Sequence, residues 1–271
     1  MPLLLPASTL SAAARATTSK VTLEASLPLA RHSRCRRHFS RSCILQTQQD
    51  AEQNDTSTKI RALMRESAQP VALVTTLLPS AGKATKHIHA ATLSSFTSIS
   101  LDPDLVCFSI KTPSKLADAL SSHVASRRTH AVQEQEGAGV DFVINMLSAK
   151  QAPLAAAYAV PGTPPLALPL TVDHSGAEGG HPLVQAGLIE AEKGTVPLVQ
   201  GSIGALACQV VDSVELDRYR LTHSTPERDA QKSRLYIARV VHVHCTAPHA
   251  ELRPLIYHRQ TFVSTTDDSL I

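Results

Sequence analysis

The chain has 271 residues, enough for one substantial core or two small ones. No run of 18 apolar residues occurs, so no membrane-spanning helix is expected. A net charge of +3, 3% aromatic residues and no Trp provide neither the basic footprint nor the stacking platforms of a nucleic-acid binder.

The charge is unevenly spread. Residues 1–46 carry seven basic groups (Arg15, Lys20, Arg31, Arg34, Arg36, Arg37 and Arg41) against one acid, Glu24, leaving 19 basic and 22 acidic residues in the rest. An acid-poor start rich in Ser, Ala, Leu and Arg has transit-peptide character. Arg37-His38-Phe39-Ser40-Arg41-Ser42 is similar to the Arg-x-Phe-x-x-Ser pattern of matrix-processed presequences. The expectation is a mitochondrial presequence over residues 1–46. A secretory signal is the rival, weakened by Pro6 in a short apolar run with no charge before it; a plastid transit peptide shares the composition. Cys35 and Cys43 would leave with the presequence. The three cysteines that remain, Cys107, Cys208 and Cys245, have no Cys-x-x-Cys spacing, which argues against a disulfide framework or a zinc site.

Residues 47–56 are polar and read as a linker. Ser57 can cap a helix with Ile60, Leu63 and Met64 on one face, ended by Pro70. Val71–Leu78 is a β-branched apolar run, a buried strand, and Pro79-Ser80-Ala81-Gly82 turns the chain. Lys86–Ser100 and Leu105–Ile110 are the next strands. Ser114 opens a short helix through Leu116, Ala119 and Leu120, and residues 124–139 form a polar insertion. Val140–Leu147 is a strand, and Ser148-Ala149-Lys150-Gln151 is a capping box for a helix to Tyr158. Residues 161–182 hold Pro and Gly without periodicity, an irregular loop. Ala205–Leu216 and Arg234–Thr246 are long strands flanking a charged loop over 217–232. Residues 265–271 are a tail. Many strands and few short helices predict a mainly β (α+β) domain over 57–264, an antiparallel barrel with peripheral helices.

The densest chemistry lies at Ala90–Ile110, where Ser and Thr crowd an extended segment. Hydroxyls and free backbone N–H groups suit a phosphate or a ribityl chain, although edge strands carry them too. Ser114 at a helix start offers a hydroxyl where the helix dipole favours an anion, with Lys111 and Lys115 on either side; the plainer role is an N-cap with solvated lysines. His87-x-His89 and His242-x-His244 each put two imidazoles on one strand face. No third ligand is predictable, so no metal site is expected. No Gly-x-Ser-x-Gly elbow supports Ser-His-Asp catalysis.

The order of these residues is more specific than their composition. Ala90-Ala91-Thr92-Leu93-Ser94-Ser95-Phe96-Thr97-Ser98-Ile99-Ser100-Leu101-Asp102-Pro103 is followed by an apolar strand, then by Lys111-Thr112-Pro113-Ser114-Lys115-Leu116, then by Phe142-Val143-Ile144-Asn145-Met146-Leu147-Ser148. In this order the three elements resemble the flavin reductase-like family of FMN-binding split barrels, over roughly residues 60–262. The resemblance implies a homodimer with a flavin at each side of the subunit interface, FMN first and FAD possible, reduced by NAD(P)H. It assigns flavin contacts to Thr92, Leu93, Ser94, Ser95 and Ser98, the first three mainly through backbone, and phosphate contacts to Lys111, Ser114 and Lys115. Phe142 and Asn145 are expected in the core. Two departures stand out. Ala90-Ala91 replaces the family's usual Gly-Met, and approximately Lys232-Ser233-Arg234 stands where many active members carry Gly-Asp-His, an element associated with nicotinamide use. The second departure keeps open a flavin-binding protein without catalysis. Arg234 is the candidate for gripping nicotinamide phosphates, because guanidinium pairs with phosphate in a bidentate fork.

Overall fold

The computed structural model describes residues 56–79, 85–130, 139–168, 180–189, 195–220, 232–245 and 252–266, with backbone only for 127–130. All lie within one unit, Arg41–Ile271. The expected presequence and most of the linker fall outside the described residues. So do 131–138, 169–179 and 221–231, which hold much of the three expected insertions.

In chain order the elements are α1 (56–65), β1 (Gln69–Pro70), β2 (Ala72–Leu77), β3 (Lys86–Leu93), β4 (Phe96–Leu101), β5 (Asp104–Thr112), α2 (Lys115–His130), β6 (Phe142–Met146), α3 (Ala152–Ala159), β7 (Leu166–Leu168), α4 (Pro182–Ala186), β8 (Leu188–Ile189), β9 (Leu198–Val199), β10 (Gly204–Glu215), β11 (Lys232–Cys245), β12 (Leu255–His258) and β13 (Thr261–Ser264). Eight strands form one antiparallel sheet in the order β4-β5-β11-β10-β6-β2-β3-β7. β3 and β4 lie near opposite ends of that order, yet only Ser94 and Ser95 separate them in the chain. Leu93 and Phe96 are therefore no more than about 11 Å apart, so the sheet must curl until its ends meet. No β3–β4 ladder closes the seam among the described residues. The result is the split barrel the resemblance implies. Two register irregularities between β10 and β11, at Ala207/Cys208 and Val210/Asp212, help the longest hairpin bend.

Apolar patterning explains the filling. Ala72, Val74, Phe108, Phe142, Ile144, Tyr236 and Ala238 point into the barrel and meet Leu116, Ala117 and Leu120 of α2, which plugs its mouth. On the opposite face of β2 and β3, Val71, Leu73, Ile88 and Ala90 pack under Leu154 and Tyr158 of α3 and Leu183 of α4. β2 is therefore covered on both faces, which is why its sequence reads as a continuous apolar run. The predicted capping box forms, with Ser148 N donating to Gln151 Oε1 at 2.9 Å. Asn145 is wholly buried, as expected. Its amide donates to Leu73 O at 3.1 Å and accepts from Val199 N at 2.9 Å, tying β2, β6 and β9 together.

Three expectations need correction. Lys86–Ser100 is two strands, broken at Ser94–Ser95, because the seam requires a change of direction there. The helix after Ser114 continues to His130. Polarity after residue 120 suggested a loop, but Ser121 and Ser122 donate to the carbonyls of Ala117 and Asp118, and His123 reaches Leu77 O at 3.0 Å. The irregular stretch 161–182 contains β7, and the hairpin β12–β13 was not predicted at all. The expected α1 helix forms, and its Ile60, Leu63 and Met64 are exposed.

Candidate functional site

Three breaks in the barrel converge at one end. They are the Ser94–Ser95 seam, the turn from β5 into α2, and the start of β11. The register shows how. Ser233 pairs with Lys111 and Lys232 with Thr112, so the first residues of β11 lie one strand away from the Pro113–Ser114 turn. Ser95 Oγ donates to Ser109 O at 3.3 Å, and the Ser109 hydroxyl lies 3.5 Å from Ser95 Oγ. Period 2 places Ser109 and Lys111 on the same face of β5, turned away from the buried Phe108 and Ile110. Hydroxyls and one cation thus line a strip leading from the seam to the helix start. Ser109 to Thr112 is three residues, about 10 Å of strand, the scale of a ribityl chain.

Ser114 caps α2, since its Oγ accepts from Ala117 N at 3.2 Å. That contact uses the oxygen as acceptor and leaves the O–H free to donate. Lys111 and Lys115 are both exposed, and Lys115 sits in the first turn of a 16-residue helix, where an anion is favoured by the dipole. His89 of β3 adds to this corner. Burial, then the Lys115 charge, hold its pKa below the usual 6.5, and its Nδ1 is buried without a partner.

The depressed His89 value carries a sign. The unfolded chain binds a proton near pH 6.5 that the folded chain refuses until lower pH, so folding loses stability as pH falls through that window and is unaffected above it. In urea titrations, wild type should therefore lose stability relative to His89→Gln between pH 7.5 and 5. A pH-independent difference between the two would contradict the arrangement.

The remaining assigned residues divide. Thr92 spends its hydroxyl on Ala155 O at 2.8 Å, and the Leu93 side chain is buried in the barrel, so both can offer a ligand only backbone. Ser94 and Ser95 stand at the seam itself. Ser98 is exposed on β4 opposite Val106, six residues and about 20 Å of strand from Thr112. Arg234 is already engaged. Its guanidinium donates to Ser121 Oγ of α2 at 2.7 Å and pairs with Glu215 of β10, an interaction that raises its pKa further. It braces α2 against the sheet. Ser109, Ser233 and His89 were not assigned to this corner from the sequence; the β4–β5–β11 register and the packing of α2 bring them there.

Other reactive groups lie elsewhere. Burial, reinforced by Asp141, pushes the Cys208 thiol up to about 12, so it stays protonated. The His242 and His244 rings stand 6.2 Å apart, and among the described residues no group of three or more His, Cys, Asp or Glu is placed to hold a metal.

Comparison with known proteins agrees with this fold. The flavin reductase like domain model matches residues 64–266. The flavin reductase component of a bacterial two-component tryptophan halogenase is similar at 19% identity and a TM-score of 0.51, over 78% of this chain and 99% of that one. The styrene monooxygenase flavin reductase of Pseudomonas putida shares 20% identity with a TM-score of 0.50, over 78% and 99%. The NADH:FAD oxidoreductase of Streptomyces globisporus, solved with NAD and FAD fragments, shares 14% identity with a TM-score of 0.51, over 79% and 94%. With a single family model spanning most of its length, and with the barrel and its seam in place, the chain belongs to the flavin reductase-like family.

Proposed function

We propose that the protein binds a flavin nucleotide at the open end of the barrel and passes to it hydride taken from NADH or NADPH. The observation that carries this reading is the convergence of the Ser94–Ser95 seam, the Ser95–Ser109 hydroxyl strip and the Lys111–Lys115 turn. The terminal phosphate of FMN, which FAD shares, lies against Ser114 and Lys115. The ribityl hydroxyls follow the strip, and the ring reaches the seam. The hydride chemistry belongs to the flavin when bound. The chain's own residues orient it, neutralise its phosphate and shield one face. A second copy covers the exposed Ile99, Leu101, Val211 and Val243 of the sheet's outer surface, as the family's homodimer implies.

One observation favours a second reading, a flavin-binding protein without reductase activity. No Gly-Asp-His element precedes β11, and Arg234, the residue best suited to replace it, is held by Glu215 and Ser121. The decisive measurement is stopped-flow bleaching of flavin bound to the purified dimer, its mass checked by light scattering. Bleaching by NADH or NADPH well above the rate for free flavin is expected. A rate equal to that of free flavin leaves the binding protein, and absence of flavin uptake at millimolar concentration ends both readings.

A further inference from the structure

Arg234 is the third residue of β11, and the register places it across from Ile110 of β5 on one side and Glu215 of β10 on the other. Its guanidinium holds two acceptors at once. Nη1 donates to Ser121 Oγ of α2 at 2.7 Å, and Nη2 pairs with the Glu215 carboxylate. A planar fork fixes the direction of both bonds, which an ammonium on a flexible stem does not. Ser121 in turn donates to Ala117 O at 2.8 Å, and the same carbonyl accepts from the Tyr236 hydroxyl at 3.2 Å. Arg234 and Tyr236, on one face of β11, thus hold a single turn of α2, Tyr236 directly and Arg234 through Ser121.

Ala117 is where this hold meets the helix start. Its N–H donates to Ser114 Oγ at 3.2 Å, and Asp118 N donates to Ser114 O at 3.0 Å. A continuous path therefore runs from Glu215 through Arg234, Ser121 and Ala117 to Ser114, linking the β10–β11 pair to the turn that carries Lys115. The Glu215 carboxylate balances the charge of Arg234, so what the guanidinium gives an anion at that turn is position rather than field. Arg234 stands at the end of the stretch that replaces Gly-Asp-His, yet both of its Nη groups are spent on protein acceptors.

We infer that Arg234 is a positioning residue: through Ser121 and the Ala117 carbonyl it sets the first turn of α2, and with it the geometry in which Ser114 and Lys115 meet the flavin phosphate. The inference rests on the flavin reading for the ligand, though not for the brace. Fluorescence titrations of the full chain compare FMN with riboflavin for wild type, Arg234→Gln, Arg234→Lys, Ser121→Ala and the Arg234→Gln/Ser121→Ala double variant. Arg234→Gln and Ser121→Ala should each weaken FMN about fivefold, while riboflavin changes less than twofold. The double variant should lose no more than Arg234→Gln alone, because both cut one path. Arg234→Lys keeps the charge without the fork and should recover only part of the loss. NADH affinity, read by calorimetry, should stay within twofold. Backbone hydrogen exchange by NMR needs no flavin, and the Ala117 and Asp118 amides should exchange about fivefold faster in both single variants. Unchanged exchange, parallel loss of FMN and riboflavin, or full recovery by Arg234→Lys overturns the inference. So does weakening of NADH with FMN intact, which makes Arg234 a nicotinamide contact. If exchange quickens as expected but wild type takes up no flavin, the brace stands and the flavin reading falls.

Discussion

Replacing Phe108 by Ala should lower the unfolding free energy by about 3–5 kcal/mol. Phe108 is wholly buried at the centre of the barrel. Its ring stacks on Tyr236 of β11, with centroids 5.6 Å apart and planes 18° from parallel, and meets Phe142 of β6 edge-on at 5.3 Å. In a chain with so few aromatic residues, this trio fills much of the interior and joins strands from three parts of the sequence. Truncation would remove the transfer free energy of a large ring and leave a cavity that α2, already pressed against the trio, closes only in part. Urea denaturation should show the midpoint falling sharply. The neighbouring Cys107, half-buried on the opposite face of β5, is the control, and Cys107→Ala should change stability by about 0.5 kcal/mol or less. Equal effects at the two positions would mean that the trio is not the centre of the core.

Lys115→Glu should weaken FMN by at least about tenfold, some 1.4 kcal/mol, while riboflavin affinity stays within about twofold. The two ligands differ only in the phosphate, so the comparison isolates the helix-start contact. Lys115 is exposed and its replacement leaves the buried Leu116 and Ala117 in place. The substitution also puts an acid in the first turn, where the dipole tolerates it, so folding should be preserved. The wild-type preference for FMN should shrink with salt, because the phosphate and both lysines are solvent-facing. Fluorescence quenching titrations read both ligands. Parallel loss of FMN and riboflavin would place the effect on the ring or the fold, and no loss of either would remove Lys115 from the site.

Phe108 lies within β5, and Lys115 opens α2 just past the end of that strand. β5 carries Phe108 into the core and Lys111 out to the turn, and its period-2 geometry keeps the two sets apart. A change at Phe108 should thus act on flavin affinity only through stability, and a change at Lys115 only on the ligand.

The strands that bury one or two faces were legible from residue types alone. Val71–Val74, Val106–Ile110 and Ala205–Val210 are apolar where the structure buries them, and no other local conformation hides those side chains so economically. The Ser148–Gln151 box was legible because its hydrogen bonds lie within four residues. The order of the seam, the Lys111–Lys115 turn and the Phe142–Ser148 strand was enough to point to the family. What the residue order could not supply was everything that depends on contacts distant in sequence. The long α2 is stabilised by Thr76, Leu77 and Arg234, which lie between about 45 and 115 positions from their partners, so its polar stretch read as a loop. The meeting of Ser109, Ser233 and His89 at one corner follows from register, which a one-residue slip would invert, and from the packing of α2. The fate of Arg234 was decided by Glu215 and Ser121, neighbours only in the folded barrel. Local patterning determined the main strands and the motif that names the family; tertiary packing alone decided which hydroxyls and charges share a site, because their partners are supplied by strands that meet only when the sheet curls shut.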